Sequence, residues 1–338
     1  MEIQGNISLK PYNSFGVDAV AKKFAVFDSV ASMRTILHDH PSSVNQQLIL
    51  GGGTNILLTK NFDGLVLKNE ITGIEVVKED AEHVYVKTGA GENWHNFVLN
   101  CVENNYAGVE NLSLIPGSIG ASPMQNIGAY GVEIKDVFYE LEAYHIEERA
   151  LQTFNLSDCK FGYRDSVFKN KYKGQFIITS VTYRLNKKPN FNISYGAIKQ
   201  ELENMGVGEL SIKTISQAVI NIRSAKLPNP NVVGNAGSFF KNPQIEKQKF
   251  HALQKQHPDI IGFTVGDAHF KLAAGWLIEQ CGWKGYRKGD AGCYAKQALV
   301  LVNYGNATGV EIYELSEEIL KSVKNNFGLQ LEREVNIV

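Results

Sequence analysis

Short apolar runs and helically spaced apolar positions alternate along the chain. Phe24–Phe27 reads as a strand. Val30, Met33, Ile36 and Leu37 then recur at helical spacing, with Asp28 or Ser29 as the cap and Pro41 as the stop. Leu48–Leu50 is a second strand, broken by Gly51–Asn55 and resumed at Ile56–Leu58. Leu65–Leu67 and Val84–Val86 extend the β content. After Gly91, Trp94, Phe97, Val98, Cys101 and Val102 fall on one helical face, with His95 beside it in a helix-surface or packing role rather than a catalytic one. β segments follow near Val137–His145 and Phe176–Leu185, and Asn192–Gly196 begins a turn.

Thr214–Gln217 has the form of a capping box, opening a helix with Ile215, Ala218, Val219 and Ile222 that ends at Lys226–Pro230. The main domain boundary is placed near residue 215. Beyond it, Lys271–Gln280 reads as a helix closed by Gly282, and Gln297–Val302 as a strand. A helix from Thr308 carries Ile312, Leu315, Ile319 and Val323 and stops at Gly328. Leu331–Val338 reads as a last strand.

Composition narrows the class. Hydrophobic content of 43% with 20% charged residues is that of a soluble globular chain, and 338 residues suggest two or three domains. A net charge of -1 argues against a general nucleic-acid or polybasic membrane surface. No apolar run approaches the roughly 20 residues of a membrane helix, and residues 1–5 lack a signal pattern, so a cytoplasmic location is expected. Cys101, Cys159, Cys281 and Cys293 form no C-x-x-C pair, and the histidines lack ligand spacing, so no metal is expected.

Two glycine-rich turns stand out, residues 51–55 and 116–131. The first runs from strand to strand, outside the strand-to-helix context of a Rossmann fingerprint, and no Walker lysine is present. Backbone N–H groups of such turns suit a pyrophosphate; the alternative is two tight turns without a ligand. Arg164 beside Asp165 is either a structural pair or a guanidinium that steadies an anion. Asn235–Pro243 sets the small hydroxyl of Ser238 behind Ala-Gly and ahead of Phe239, Phe240, Lys241 and Asn242. It reads as a proton donor in a walled-off pocket or as a turn with a solvent-facing serine.

Asn13–Gly16, Gly51–Asn55, Ile115–Gly131, Phe161–Ser166, Asn235–Pro243, Lys271–Ile278, Gln297–Gly309 and Glu334-Val335 together resemble the UDP-N-acetylenolpyruvoylglucosamine reductases, in family order along the whole chain. Ser194-Tyr195-Gly196 is similar to the tyrosine loop of the type I subgroup, whereas Arg333 stands where many members have proline.

The resemblance implies an α+β fold. It comprises an FAD-binding domain of the vanillyl-alcohol-oxidase/PCMH type in two lobes, residues 1–62 and 63–214. A smaller substrate-binding domain, residues 215–330, follows, and the strand 331–338 returns to the first lobe. It implies non-covalent FAD held by Gly51, Gly52, Gly53, Thr54, Asn55, Pro116, Gly117, Ser118, Gly120, Ala121, Ser122, Gly128, Ala129, Tyr130, Ile178 and Arg223. The UDP-sugar would be bound by Tyr195, Lys226, Asn242 and Gln297. The reaction implied is reduction of the enolpyruvyl ether of UDP-GlcNAc to UDP-N-acetylmuramate by a monomer, with NADPH as co-substrate. Hydride would come from flavin N5, Arg164 and Glu334 would stabilise the enolate, and Ser238 would supply the proton.

Overall fold

The computed structural model describes residues 3–40 and 46–338. The chain forms two compact units. The first comprises residues 1–7, 21–53 and 62–225; the second comprises residues 8–20, 54–61 and 226–338.

Two sheets build the first unit. One has the order Gln4–Ser8, Val20–Phe27, Phe62–Asn69, Gln47–Leu50, with the last two pairings parallel. Helix α1, Val30–Asp39, is capped by Ser29, whose Oγ accepts the Ser32 N–H at 3.1 Å. Its Met33 and Ile36 pack on Ala25, Phe27, Leu65 and Leu67 of the sheet. The expected stop at Pro41 lies outside the described residues.

The other sheet is antiparallel, in the order Ala150–Asn155, Phe138–His145, Phe176–Asn186, His83–Gly89, Ile74–Glu79. Helix α2, Trp94–Glu103, buries Trp94, Phe97, Val98 and Cys101 in the core associated with it. Tyr183 from the central strand meets the Phe97 ring at a centroid distance of 4.8 Å. Its hydroxyl, fully enclosed, is satisfied by Ser122 Oγ at 2.7 Å. Helices α3 (Leu156–Cys159), α4 (Gly196–Asn204) and α5 (Ile212–Lys226) follow.

Two expectations change here. Asn192–Gly196 leads directly into α4, whose buried pair Ile198 and Leu202 is too short a repeat to announce a helix. The capping box sits one turn earlier than Thr214–Gln217. Thr214 N–H donates to Ser211 Oγ at 3.1 Å and Ser211 N–H donates to Thr214 Oγ1 at 2.9 Å, so α5 begins at Ile212. Threonine fills the role usually given to glutamate.

The second unit holds an antiparallel sheet in the order Gly234–Ser238, Val300–Asn303, Ala291–Cys293, Arg287–Lys288. A three-stranded sheet, Gln244–Glu246, His269–Leu272, Gly262–Val265, lies in the same unit. Helices α6 (Lys247–Gln256), α7 (Ala274–Gln280) and α8 (Gly309–Phe327) complete it. α8 has a Thr308–Glu311 capping box and ends at the left-handed Gly328, φ 62°.

The expected helix Lys271–Gln280 is divided. Its first residues belong to the strand His269–Leu272, where Lys271 pairs with Gln244 and Phe263, and only Ala274–Gln280 is helical. The C-terminal strand is also shorter than expected. Asn336–Ile337 pairs in parallel with Ile56–Leu57, and before it Arg333 makes a single bridge with Phe240.

Candidate functional site

In the first unit the two glycine turns lie against each other. A Cβ on Gly51 would collide with Ser118 Oγ, and one on Gly120 would press on Ala90. Glycine at both positions is therefore a condition of close approach. The N–H groups of Ile119 and Gly120 donate to Glu92 and Ala90 carbonyls, fixing the second turn. Among the described residues, the N–H groups of Gly52, Gly53, Gly117 and Ser118 donate to no protein acceptor. Four such donors on adjoining turns suit a diphosphate. Thr54, Asn55 and Pro116 adjoin these donors in sequence, while Ala121 and Ser122 close a helical turn on Ser118 and Ile119.

Two arginines distant in sequence, Arg164 and Arg223, act on each other's charge in this unit. Arg223 on α5 donates from Nε to the Leu114 carbonyl at 3.3 Å, and Tyr130 lies close enough to act on its charge. Burial draws its guanidinium below the ordinary value, Tyr130 opposes that shift, and the charge of Arg164 adds to it. Arg164 Nη2 donates to the Gly128 carbonyl at 2.6 Å, and its guanidinium lies 5.4 Å from the Tyr163 ring centre. Arg164, Tyr130 and Asn126 all take left-handed backbone, with φ 53°, 49° and 48°. The strain of three such residues is tolerated where the surroundings fix them, a pattern found at ligand sites.

The Tyr130 ring meets Tyr195 edge to face, centroids 5.2 Å apart, and Tyr195 itself is 44% exposed at the start of α4. Gly128 and Ala129 form a short ladder with Glu133 and Val132. Ile178 is buried on the central strand, where its carbonyl accepts from Asn69 Nδ2 at 3.0 Å. The first unit thus brings together Arg164, Arg223, Tyr130 and Tyr195.

The second unit brings together Ser238 and Glu334. Phe239 N–H donates to Leu299, holding the end of the Ser238 strand on its neighbour. Gly237 takes φ 69°, and its N–H is held by Asn235 Oδ1 at 3.0 Å. On the other side, Lys241 N–H donates to Glu332 and Glu334 N–H donates to Phe239, each at 2.8 Å. Asn55 Nδ2 reaches the Glu334 carbonyl at 3.3 Å. Lys241 itself is paired with Glu332 at 2.6 Å.

Asn242 Oδ1 accepts the Ala274 N–H at 2.9 Å, anchoring its side chain at the start of α7. Gln297 comes so close to the same helix end that a Cβ on Gly275 would lie 2.8 Å from its Oε1. Lys226 is the last residue of α5.

Sequence reasoning noted His95 without its partner, the Leu114 N–H that its Nδ1 accepts at 3.0 Å, and missed Asn111, whose Nδ2 donates to the Tyr130 and Asn192 carbonyls. Both act on main-chain atoms, which leave no pattern in the side chains. Among the described residues no acid, histidine and cysteine cluster suits a metal, and no helix is long and apolar enough to cross a membrane.

Two family models match the chain: an FAD binding domain over residues 22–145, and the C-terminal domain of UDP-N-acetylenolpyruvoylglucosamine reductase over residues 229–338. With the architecture above, they define a flavoprotein oxidoreductase with an FAD-binding domain of the vanillyl-alcohol-oxidase/PCMH type and an appended C-terminal α+β domain. The UDP-N-acetylenolpyruvoylglucosamine reductase of Flavobacterium johnsoniae is 51% identical, covering 100% of both chains. Those of Amoebophilus asiaticus and Pseudomonas savastanoi are 50% and 48% identical, over 100% of this chain and 100% and 99% of theirs. The chain belongs to the UDP-N-acetylenolpyruvoylglucosamine reductase family. The solved reductase of Thermus caldophilus has the same fold, with a TM-score of 0.70 at 22% identity over 100% of this chain and 99% of that one. FAD fits the first unit, because the donors on the adjoining turns match a flavin nucleotide's pyrophosphate.

Proposed function

We propose that this chain reduces the enolpyruvyl ether of UDP-GlcNAc to UDP-N-acetylmuramate, with NADPH as the electron source, in cytoplasmic peptidoglycan precursor synthesis. The observation that carries the reading is the backbone pairing of Glu334 with Phe239, which seats Glu334 beside the residue that follows Ser238. A proton donor and an acidic partner, far apart in sequence, are what delivery of a proton to carbon requires.

FAD, held without a covalent bond, would supply hydride chemistry at this site, with NADPH as the source of its electrons. The glycine turns, with Gly52, Gly53, Gly117 and Ser118 as donors, hold the pyrophosphate, and Ile178, Tyr130 and Arg223 face the remainder of the cofactor. Tyr195, Lys226, Asn242 and Gln297 bind the UDP-sugar. Lys226 and Tyr195 serve its diphosphate, where a cation and an aromatic hydroxyl both help.

Hydride addition at C3 of the enolpyruvyl group leaves negative charge shared with the adjoining carboxylate. Arg164 meets that charge with its guanidinium. Glu334 assists as the protonated acid or through a bridging group, since a bare carboxylate would repel the enolate. Ser238 then gives its proton to C2 and regains one from solvent water, since its hydroxyl is too weak an acid to be left as the alkoxide. In this reading residues 1–62 and 63–214 are the lobes of the FAD domain and residues 215–330 bind substrate.

The test is a pair of half-reactions without oxygen. NADPH should bleach the bound flavin, and the UDP-GlcNAc enolpyruvyl ether should restore its colour at catalytic rate. A flavin that stays reduced after the second addition sinks the proposal.

A further inference from the structure

His95 has no place in the chemistry above, yet its ring is built into the scaffold around Arg223. It is the second residue of α2, and its half-buried Nδ1 accepts the Leu114 N–H at 3.0 Å. Accepting that proton requires a neutral imidazole carrying its hydrogen on Nε2. Leu114 is held at φ 60°, a left-handed backbone that costs a leucine energy. Its flanks are pinned by the same helix. Trp94 Nε1 donates to the Leu112 carbonyl at 2.9 Å, and Trp94 N–H donates to Gly117 at 3.0 Å. The twisted Leu114 peptide presents its carbonyl to Arg223 Nε at 3.3 Å.

We propose that His95 is a positioning residue for Arg223: its unprotonated Nδ1 holds Leu114 in the conformation that aims a carbonyl at the buried guanidinium. Protonation of His95 turns the acceptor into a donor facing an N–H group, the Leu114 peptide loses its tether, and Arg223 loses its alignment. The inference rests on the reading that Arg223 faces FAD.

The charged groups around His95 favour the neutral ring. Burial, then the positive charge of Arg223 on α5, both lower its affinity for a proton. Glu110, on the segment that includes Leu114, is turned to the Gly108 N–H at 2.6 Å. A histidine whose folded value lies below its unfolded value stabilises the fold above the ordinary value of about 6.5. That contribution is lost as the pH falls through the folded value.

The experiment is FAD binding to the apoprotein, followed by flavin fluorescence between pH 5 and 8, for the wild type, His95→Asn and His95→Ala. Asn places an amide oxygen near the Nδ1 position and does not titrate. The wild type should lose FAD affinity on the acid side, His95→Asn should bind well with a flattened acid limb, and His95→Ala should bind roughly tenfold more weakly across the range, the factor that about 1.4 kcal/mol represents. An unchanged acid limb in His95→Asn overturns the proposal, as does His95→Ala with wild-type affinity. If His95→Ala does not fold, the pH profile of His95→Asn decides. FAD binding that behaves as expected without turnover of the enolpyruvyl ether would remove the proposed reaction and leave the role of His95 intact.

Discussion

Glu334 and Phe239 are backbone partners: the Glu334 N–H donates to the Phe239 carbonyl at 2.8 Å. Phe239 and Phe240 are both fully buried, with their rings at a centroid distance of 5.2 Å. The two phenylalanines therefore anchor the chain just after Ser238 in the core, and the segment Glu332–Glu334 pairs with it through main-chain hydrogen bonds. The position of Glu334 is set by main chain on both sides of its Cα, through Phe239 and Asn55.

Ser238→Ala should separate the half-reactions. Bleaching of the flavin by NADPH should proceed near the wild-type rate. Reoxidation by the enolpyruvyl substrate should slow by about 10²–10⁴-fold, the contribution of a positioned proton donor. Stopped-flow absorbance of the flavin reads both. Equal losses in the two steps would show Ser238 to be structural.

Glu334→Gln keeps the backbone bond to Phe239 and the side-chain volume while removing the ionisable proton. Flavin reduction and thermal stability should hold, and the second half-reaction should fall by at least tenfold. A variant that reoxidises like the wild type would take Glu334 out of the mechanism.

Gly51→Ala should weaken FAD retention, because the new methyl group meets Ser118 Oγ. Overpacking of this kind costs about 1–3 kcal/mol, roughly a tenfold loss of affinity or more. Adding Ser118→Gly to the variant should recover binding by clearing the obstruction. Ultrafiltration followed by flavin absorbance measures the retained cofactor. A double variant no better than the single one would refute the contact.

Glu110 gives a stability signature. Burial raises its carboxyl above the ordinary value, outweighing the N–H groups of Gly108, Glu110 and Val109 that lower it. The folded state therefore keeps this proton longer than the unfolded chain, and the wild type loses stability as the pH rises from the ordinary carboxylate value to the folded one. Glu110→Gln does not titrate. Urea midpoints should shift in favour of the variant between pH 4 and pH 7; a constant difference would contradict the assignment.

The parts legible in the sequence were those written in side-chain periodicity or in small residues. α2 was readable because Trp94, Phe97, Val98 and Cys101 repeat on one face, and the glycine turns because Gly51–Gly53 and Gly117–Gly120 leave backbone exposed. α8 was readable from Thr308 to Gly328. The strand His269–Leu272 was masked by its neighbour α7, since four residues are too few for a period to declare itself. The link from His95 to Leu114 was invisible for a different reason: one partner is a main-chain N–H, and its unusual φ has no glycine to mark it. Ser238 was readable as one of two alternatives from the small and aromatic residues around it, whereas the role proposed for Glu334 came from family likeness, because that residue is not distinctive where it stands.

The seat of Glu334 also has a history in time. Asn336 donates to the Asn55 carbonyl from its side chain and its backbone, both at 3.0 Å, across 281 positions of sequence. Thr59 Oγ1 donates to the Val338 carbonyl at 2.9 Å. Closing so long a loop carries a high entropy, and contacts of this range form late. Residues 55–59 are therefore held in place only when residues 336–338 have paired with them. Loss of the Asn336 and Thr59 contacts should therefore unseat Glu334 and slow flavin reoxidation more than flavin reduction.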